Sequence, residues 1–181
     1  MENSQLYVLQ DIADKLTAAG IEYMLTGSVA AFIYGMPRMT HDIDVIVKIF
    51  YSNKEKIVRA FEDDYLVAEN EIDFALNNNL MFNFFHKTKA AKVDFIIQKR
   101  TEYRLKEFSR KRFIESEKFK EYVVSQEDLI ISKVEWAKDT LSEQQSRDIK
   151  FLLKTPIDEE YLNHWLNELN LTEIFNKLVN D

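Results

Sequence analysis

Apolar residues recur along this chain at two spacings, and the change from one to the other outlines a mixed fold. Near the start they return every three or four positions, which predicts an amphipathic helix ended by Gly20: Leu6, Leu9, Ile12, Ala13 and Leu16. Five short apolar runs follow, which are typical of buried strands: IEYMLT, DIDVIVKIF, YLVA, LMFNFFHK and AKVDFII. The segment SVAAFIYG, between the first two runs, is predicted to be a short helix.

The pattern changes after Gln98. A basic helix is predicted from about Glu102, and RFIES and EYVVS behind it favour a hairpin. Ser125 and Asp128 form a capping box, which marks the start of another helix. The remaining sequence predicts further amphipathic helices that end in DEEYLNHWLNEL and TEIFNKLV.

Together these elements predict an α+β fold. We expect a mixed sheet of about four to six strands flanked by helices, followed by a helical C-terminal third. Residues 1–124 would form the α/β core, and residues 125–181 a helical segment that packs on it to give one compact unit.

Composition narrows the class of protein. The 181 residues include no cysteine, which excludes disulfides and thiolate metal sites, and 46% of them are hydrophobic, as in an ordinary globular protein. No apolar run approaches the ~20 residues that cross a bilayer, so we expect no membrane partner. The opening MENSQLYVLQ lacks the features of a signal peptide, which favours a cytoplasmic location.

The charge is unevenly distributed. A net charge of −7 argues against binding nucleic acid by bulk electrostatics. The segment from Lys99 to Lys120 is an exception, because it carries nine Lys or Arg against four Glu, a local balance of +5. Two interpretations stay open: a solvent-exposed helix and hairpin with many ion pairs, or a basic surface that faces the phosphates of a nucleotide or an RNA.

Two aspartates open the apolar run DIDVIV, although aspartate is depleted from strands. Residues two apart on a strand share a face, so the carboxylates of Asp42 and Asp44 project together. Two such carboxylates repel each other unless a cation lies between them, and Mg²⁺ prefers oxygen ligands. The alternative is an Asp pair at a strand edge that caps a turn or is solvated, and the motif alone does not decide between the two.

Two further features favour chemistry at these aspartates. Asp94 is a third aspartate inside an apolar strand, AKVDFII. Gly27 and Ser28 lie where a strand is predicted to end and a helix to begin, so Gly27 would allow close approach of a ligand. Ser28 would be the N-cap in front of free N–H groups that attract an anion. Such a set can supply what in-line attack on a nucleotide phosphate requires: metal ions on the reacting oxygens and a cradle for the outgoing polyphosphate.

The order of these residues is that of a known superfamily. Gly-Ser, thirteen residues, Asp-x-Asp and then a later strand Asp resembles the nucleotidyltransferases related to DNA polymerase β. The resemblance implies that Gly27 and Ser28 bind the nucleotide phosphates. It also implies that Asp42, Asp44 and Asp94 hold Mg²⁺ or Mn²⁺, with Asp94 helping to activate the acceptor hydroxyl.

A finer resemblance is to bacterial nucleotidyltransferases of the AbiEii and MenT toxin type. It rests on Arg38, Thr40, Asp42, Ile43 and Asp44, on Glu127, Asp128, Leu129 and Lys133, and on Arg147 and Asp148. This resemblance implies transfer of a nucleoside monophosphate from a nucleoside triphosphate (NTP) to a hydroxyl of a tRNA, a protein or a small molecule. It also implies a toxin role, with a cognate antitoxin as partner.

Two basic residues are further candidates for nucleotide binding. Lys133 lies on a helix that is otherwise apolar, and could contact phosphate or be a surface lysine that extends to solvent. Arg38 could bind phosphate or pair with an aspartate. The alternative function is a catalytically silent protein that binds a nucleotide or a partner as a regulator; the presence of all three aspartates favours the enzyme.

Overall fold

Seven strands form one mixed sheet in the computed structural model, which describes residues 2–37, 42–115, 120–138 and 142–180. The strands are β1 Tyr23–Leu25, β2 Asp42–Val47, β3 Tyr65–Leu66, β4 Met81–His86, β5 Lys92–Ile97, β6 Arg112–Glu115 and β7 Lys120–Val123. Their order in the sheet is β3-β4-β5-β2-β1-β7-β6. The β2–β5 and β1–β7 pairs are parallel, and the other four pairs are antiparallel.

The predicted α+β class is confirmed, but the sheet is larger than the four to six strands expected. The hairpin of β6 and β7 was predicted, whereas its addition to the main sheet was not. That addition depends on a parallel contact between Leu25 and Val123, which are far apart in sequence. The division into a core over 1–124 and a helical segment over 125–181 stays a prediction.

Nine α-helices surround the sheet within the described ranges. They are α1 Glu2–Ala18, α2 Gly27–Ile33, α3 Lys54–Phe61, α4 Glu69–Asn78, α5 Glu102–Ser109, α6 Gln126–Ala137, α7 Glu143–Leu152, α8 Glu159–Glu168 and α9 Thr172–Asn180. Ser125 is the N-cap of α6, as predicted, since its Oγ accepts a hydrogen bond from the Asp128 backbone N–H at 3.2 Å; in place of the return bond of a capping box, Ser125 Oγ donates to Asp128 Oδ2 at 2.6 Å. None of these helices is long and apolar enough to cross a membrane.

One face of the sheet is the hydrophobic core, which we call the core face. Alternate residues of the three adjoining strands lie buried on it: Ile43, Val45 and Val47 of β2, Val93, Phe95 and Ile97 of β5, and Phe82 and Phe84 of β4. The ring of Phe61, from α3, packs on Phe95 with the centroids 5.3 Å apart. The run LMFNFFHK was predicted to be a buried strand, but its Phe85 is 48% exposed because its position in the strand turns it to the opposite face.

The opposite face, which we call the site face, is ordered in rows by strand register. Partnered residues on adjacent strands project to the same side, so residues that follow one another across β4, β5 and β2 form a row. The first row is Phe85, Lys92 and Asp42; the second is Asn83, Asp94 and Asp44; the third is Met81, Ile96 and Ile46. The polar second row therefore lies between a mixed row and an apolar one, and α2 packs on β2 beside it.

Candidate active site

The pairing of β2 with β5 places two of the predicted acids side by side. Asp44 and Asp94 are direct partners in the parallel register, and Asp42 is the partner of Lys92. Asp42 lies exposed at the start of its strand, Asp44 is half-buried, and Asp94 is buried. The three acids predicted from the sequence thus lie on one face of the sheet, at the strand ends where β2 and β5 begin.

Gly27 brings the start of α2 against Asp44. Its φ of +61° lies in the left-handed region, and a Cβ at this position would overlap the Asp44 carboxylate, with the Cγ atom of Asp44 only 2.7 Å away. The backbone N–H of Thr26 donates to the carbonyl oxygen of Asp44 at 3.0 Å, which fixes the approach. Glycine is therefore required here both by the backbone and by the lack of space.

The prediction that Ser28 is the N-cap of this helix is wrong. The helix α2 begins at Gly27 with Thr26 at the N-cap position, so Ser28 is its second residue. Because α2 has only seven residues, its N-terminus alone does not specify an anion site. The feature that remains is the close contact of this turn with Asp44.

Mutual repulsion of the acids is visible at Asp44. Burial, together with the negative charges of Asp94 and Asp42, raises the pKa of Asp44 to about 6. The positive charges of Lys133 and Lys92 act in the opposite direction. The site therefore concentrates negative charge in a region poor in solvent, where it favours a cation.

Lys92 is the cation that faces Asp94. Its Nζ lies 2.8 Å from the Asp94 carboxylate and donates a hydrogen bond to Oδ2, which raises the pKa of Lys92. Nζ lies equally close to the buried Oδ1 of Asp94, at 2.8 Å, although Oδ1 accepts no hydrogen bond from the described residues. The ammonium therefore faces both oxygens of this carboxylate.

Lys133 is buried rather than extended to solvent. Its side chain, on α6, is 3% exposed and donates to Asp148 Oδ2 on α7 at 2.7 Å, and Gln145 Oε1 lies 3.4 Å away. The alternative of a surface lysine is therefore wrong. Arg38, the other basic residue predicted to bind nucleotide, lies outside the described residues.

A cavity of about 420 Å³ opens on the site face next to Asp44. Its floor is the apolar row of Met81, Ile96 and Ile46, and its wall is formed by α5 and α6. On that wall Arg104 donates to Glu107 at 2.7 Å and to Ser132 at 2.9 Å, and it also pairs with Glu135. Trp136, 46% exposed, completes the rim. This volume and this mixture of apolar and polar lining are those of a site for a small ligand or for one group of a larger one.

The basic segment from Lys99 to Lys120 makes many internal ion pairs. Five of its side chains pair with carboxylates: Arg104 with Glu107 and Glu135, Arg110 with Glu127 and Asp128, Lys111 with Glu22, Arg112 with Glu127, and Lys120 with Glu115. These contacts favour the interpretation as a helix and hairpin laced with ion pairs over a wall for an RNA.

Sequence reasoning missed three features of the site: Lys92, Asn83 and the cavity. Lys92 had a local signal, since it lies two positions before Asp94 and so must share its face. Asn83 had none, because its place beside Asp94 depends on the register of β4 with β5. The cavity depends on how α5 and α6 pack over the sheet.

No protein-family model matches the chain, and no curated protein matches it. Solved structures do. A proposed nucleotidyltransferase from Thermotoga maritima aligns over 93% of this chain and 96% of its own, with a TM-score of 0.56 and 21% identity. The antibiotic-resistance factor ANT(2'')-Ia aligns over 95% and 96%, with a TM-score of 0.63 and 12% identity. The lincosamide antibiotic adenylyltransferase LnuA aligns over 84% and 96%, with a TM-score of 0.56 and 15% identity.

This chain has the nucleotidyltransferase fold. At these identities the likeness is one of fold, so it confirms the superfamily architecture that the Gly-Ser and Asp-x-Asp order implied. The finer resemblance to AbiEii and MenT toxins stays a prediction. What the nucleotidyltransferase fold does in this protein has to be argued from its own residues.

Proposed function

We propose that this protein is a nucleotidyltransferase that moves a nucleoside monophosphate from an NTP to an acceptor hydroxyl and releases pyrophosphate. One observation carries the proposal: Asp44 and Asp94 are register partners on the site face, and a glycine that no other residue can replace without overlap lies against Asp44. In the nucleotidyltransferase fold, this is the arrangement that phosphoryl transfer requires of its carboxylates.

The acid cluster fits a hard divalent cation, Mg²⁺ or Mn²⁺. Asp44 and Asp94 offer neighbouring carboxylates, and the buried Oδ1 of Asp94 already has a cation, the Lys92 ammonium, at 2.8 Å while it accepts no hydrogen bond from the described residues. Within the described ranges no three His, Cys, Asp or Glu side chains are already gathered tightly enough to hold a metal. That is consistent with Mg²⁺, which is bound by one or two carboxylates and completed by substrate phosphates. We assign Asp44 and Asp94 as the principal ligands and Asp42 as the third.

The transfer itself forms one bond and breaks another. The acceptor oxygen attacks the α-phosphorus as the bond to the bridging α–β oxygen breaks, and pyrophosphate leaves with the electrons of that bond. Asp94 would receive the proton of the acceptor hydroxyl, since it lies beside Asp44 on the site face. A bound divalent cation would supply the positive charge that neutralises the phosphate oxygens.

Phosphate binding is assigned to the turn before and within α2 and to two basic residues. Gly27 and Ser28 would contact the outgoing phosphates, because the turn lies against Asp44 without an intervening side chain. Lys133 would contribute positive charge to the site, since its charge already acts to lower the pKa of Asp44. Arg38 is assigned here from the sequence resemblance alone.

The acceptor would enter through the cavity next to Asp44. In-line displacement places the attacking and leaving oxygens on opposite sides of phosphorus. Gly27 lies against Asp44 on the β1 side; the cavity includes Thr26 on that side and extends from Asp44 over β5 and β4. The acceptor group belongs to a tRNA, a protein or a small molecule, and the apolar floor favours a group with an apolar face. A toxin role with an antitoxin partner, and a cytoplasmic location where NTPs are abundant, complete the proposal.

Label transfer tests this function. The protein is incubated with each α-³²P-labelled NTP, with Mg²⁺ or Mn²⁺, and with total tRNA, cell protein or small-molecule extract as acceptor. We expect label on one acceptor class in the presence of metal, and release of pyrophosphate. Asp44→Asn keeps the size of the side chain, and should lower transfer more than about 100-fold, since even outer-shell partners of metal ligands are worth 10–100-fold.

The control variant is Asp73→Asn, which alters a partly exposed aspartate paired with Lys54 on the protein surface. Transfer that survives Asp44→Asn at the level of Asp73→Asn would refute the mechanism. NTP binding without transfer to any acceptor would instead favour the catalytically silent regulator.

A further inference from the structure

Lys92 occupies an unusual place among the lysines of this protein. It stands two residues before Asp94 on β5, with Asp42 as its register partner on β2. Its Nζ lies 2.8 Å from the Asp94 carboxylate, and its charge also acts on Asp42 and Asp44. One ammonium group therefore faces all three acids of the proposed metal site.

The carboxylate partner of Lys92 differs from those of the other surface lysines. The Asp94 side chain is 8% exposed, whereas Asp64, the partner of Lys15 at the same 2.8 Å, is 51% exposed. The Lys92 ammonium lies 2.8 Å from both Oδ1 and Oδ2 of Asp94, although only Oδ2 accepts a hydrogen bond from the described residues. Among the described residues, Lys92 is thus the cation that holds this buried carboxylate.

The ammonium group of Lys92 is able to leave its ion pair with Asp94. Its side chain is 31% exposed, so the flexible stem can swing the ammonium into solvent without opening the core. Lys133 offers the contrast, because both it and its partner Asp148 are almost fully enclosed, at 3% and 4%. The ion pair of Lys92 is therefore partly open to solvent, whereas that of Lys133 lies in the protein interior.

We propose that Lys92 is a displaceable counter-ion: it holds Asp94 in place in the metal-free protein, and moves out to solvent when a divalent cation and an NTP bind. This inference rests on the proposed function, because it concerns the same acids. The Lys92 ammonium lies 2.8 Å from both oxygens of Asp94, so a divalent cation that binds this carboxylate takes the place of the ammonium at one of them at least, and the like charges then repel each other. Lys92 is thus a positioning residue that acts through Asp94.

The exchange also couples metal binding to nucleotide binding. Displacing Lys92 removes a favourable contact from Asp94, so a metal ion alone binds against that loss. An NTP brings negative phosphate oxygens that complete the coordination of the cation and offset the loss. The protein would therefore bind metal weakly by itself and much more tightly together with nucleotide.

Chemical labelling of lysine amines tests the displacement directly. The full chain is treated with an acylating reagent under three conditions: without metal, with Mn²⁺ alone, and with Mn²⁺ plus a non-hydrolysable NTP analogue. Modification of each lysine is measured by peptide mass spectrometry. We expect Lys92 labelling to rise at least about threefold in the third condition, as its amine leaves the ion pair, and Lys15 labelling to stay constant. Unchanged or reduced labelling of Lys92 would overturn the proposal, because the amine would then be staying in place or binding phosphate.

Two variants give a second readout that needs no turnover. Lys92→Met removes the charge at similar length, and should raise the affinity for Mn²⁺ alone about tenfold, whereas Lys92→Arg should restore weak binding. Lys15→Met, the matched control, should lower stability without changing Mn²⁺ affinity. Equal Mn²⁺ affinity in Lys92→Met and wild type would overturn the inference.

The outcomes separate this inference from the proposed function. Metal-dependent transfer with Lys92 labelling unchanged would leave the enzyme intact and refute the counter-ion. Absence of both Mn²⁺ and NTP binding in the wild type would refute the two together.

Discussion

Asp44 and Asp94 stand directly opposite each other on parallel strands, although they are fifty positions apart in sequence. The pairing turns two strand aspartates into one acidic site, and the glycine of the preceding turn closes on the same carboxylate. The contribution of each of these residues can be tested by a single substitution.

Gly27→Ala should destroy the site. The left-handed backbone costs any residue with a Cβ about 1–2 kcal/mol, and here the Cβ would also displace the Asp44 carboxylate. We expect loss of NTP-dependent transfer and of Mn²⁺ binding, together with a lower free energy of unfolding in urea. Gly20→Ala is the matched control, since its φ is +65° and a Cβ there meets nothing within 4 Å. Equal activity in the two variants would show that the contact with Asp44 is dispensable.

Lys133→Met should be strongly destabilising. It leaves Asp148 buried without its cation, and breaking a buried ion pair from one side costs about 3–5 kcal/mol. The double variant Lys133→Met/Asp148→Leu, which removes both members of the ion pair, should recover most of that stability in denaturant unfolding.

The double variant also isolates the proposed role of Lys133 in nucleotide binding. If Lys133 contributes charge to the phosphates, NTP affinity measured by calorimetry should stay low after stability is recovered. Wild-type affinity in the stable double variant would assign Lys133 to structure alone.

Ile96→Trp should separate acceptor use from nucleotide binding. Ile96 lies in the middle of the cavity floor, so a larger side chain would fill the space and displace the acceptor. We expect kcat/KM for the acceptor to fall about 100-fold, the effect of misplacing a reacting group, with NTP affinity unchanged. Phe85→Trp is the control, on the same face but outside the cavity. Loss of NTP affinity in Ile96→Trp would instead place the nucleoside in the cavity.

Glu121 should make stability depend on pH near neutrality. Burial raises its pKa to about 7, although Tyr23 donates a 2.6 Å hydrogen bond to it. Because the folded state binds a proton more tightly than the unfolded state, stability is fully present at low pH and is lost as pH rises through about 7, by up to ~1.4 kcal/mol per pH unit.

The test compares melting temperatures between pH 5.5 and 8.5. Wild type should lose stability over this range relative to Glu121→Gln, which has no proton to release. Glu168→Gln, at an exposed position, should follow wild type. Parallel curves for Glu121→Gln and wild type would show that Glu121 does not titrate in this range.

Sequence alone settled what depends on neighbours along the chain. The period of two placed Asp42 and Asp44 on one face, and the capping box at Ser125 placed the start of α6. The same local reasoning failed at Ser28, because the N-cap of α2 is Thr26, two residues earlier, and Gly27 with its left-handed backbone is already the first residue of the helix. It failed again at Phe85. Because almost every position of the run LMFNFFHK is apolar, the alternation of side chains between the two faces of the strand cannot be read from it.

Tertiary structure decided what depends on which strands and helices meet. Nothing near Asp94 in sequence specifies Asn83 or Asp44 as its neighbours; the register of three strands does. The sequence left open whether Lys133 extends to solvent, and the packing of α6 on α7 encloses it with Asp148. The face on which a strand residue lies depends on the local backbone, so the sequence alone indicated which acids share a face. Strand register and helix packing depend on burial of apolar side chains throughout the core. Only the folded sheet therefore places Asp44 beside Asp94.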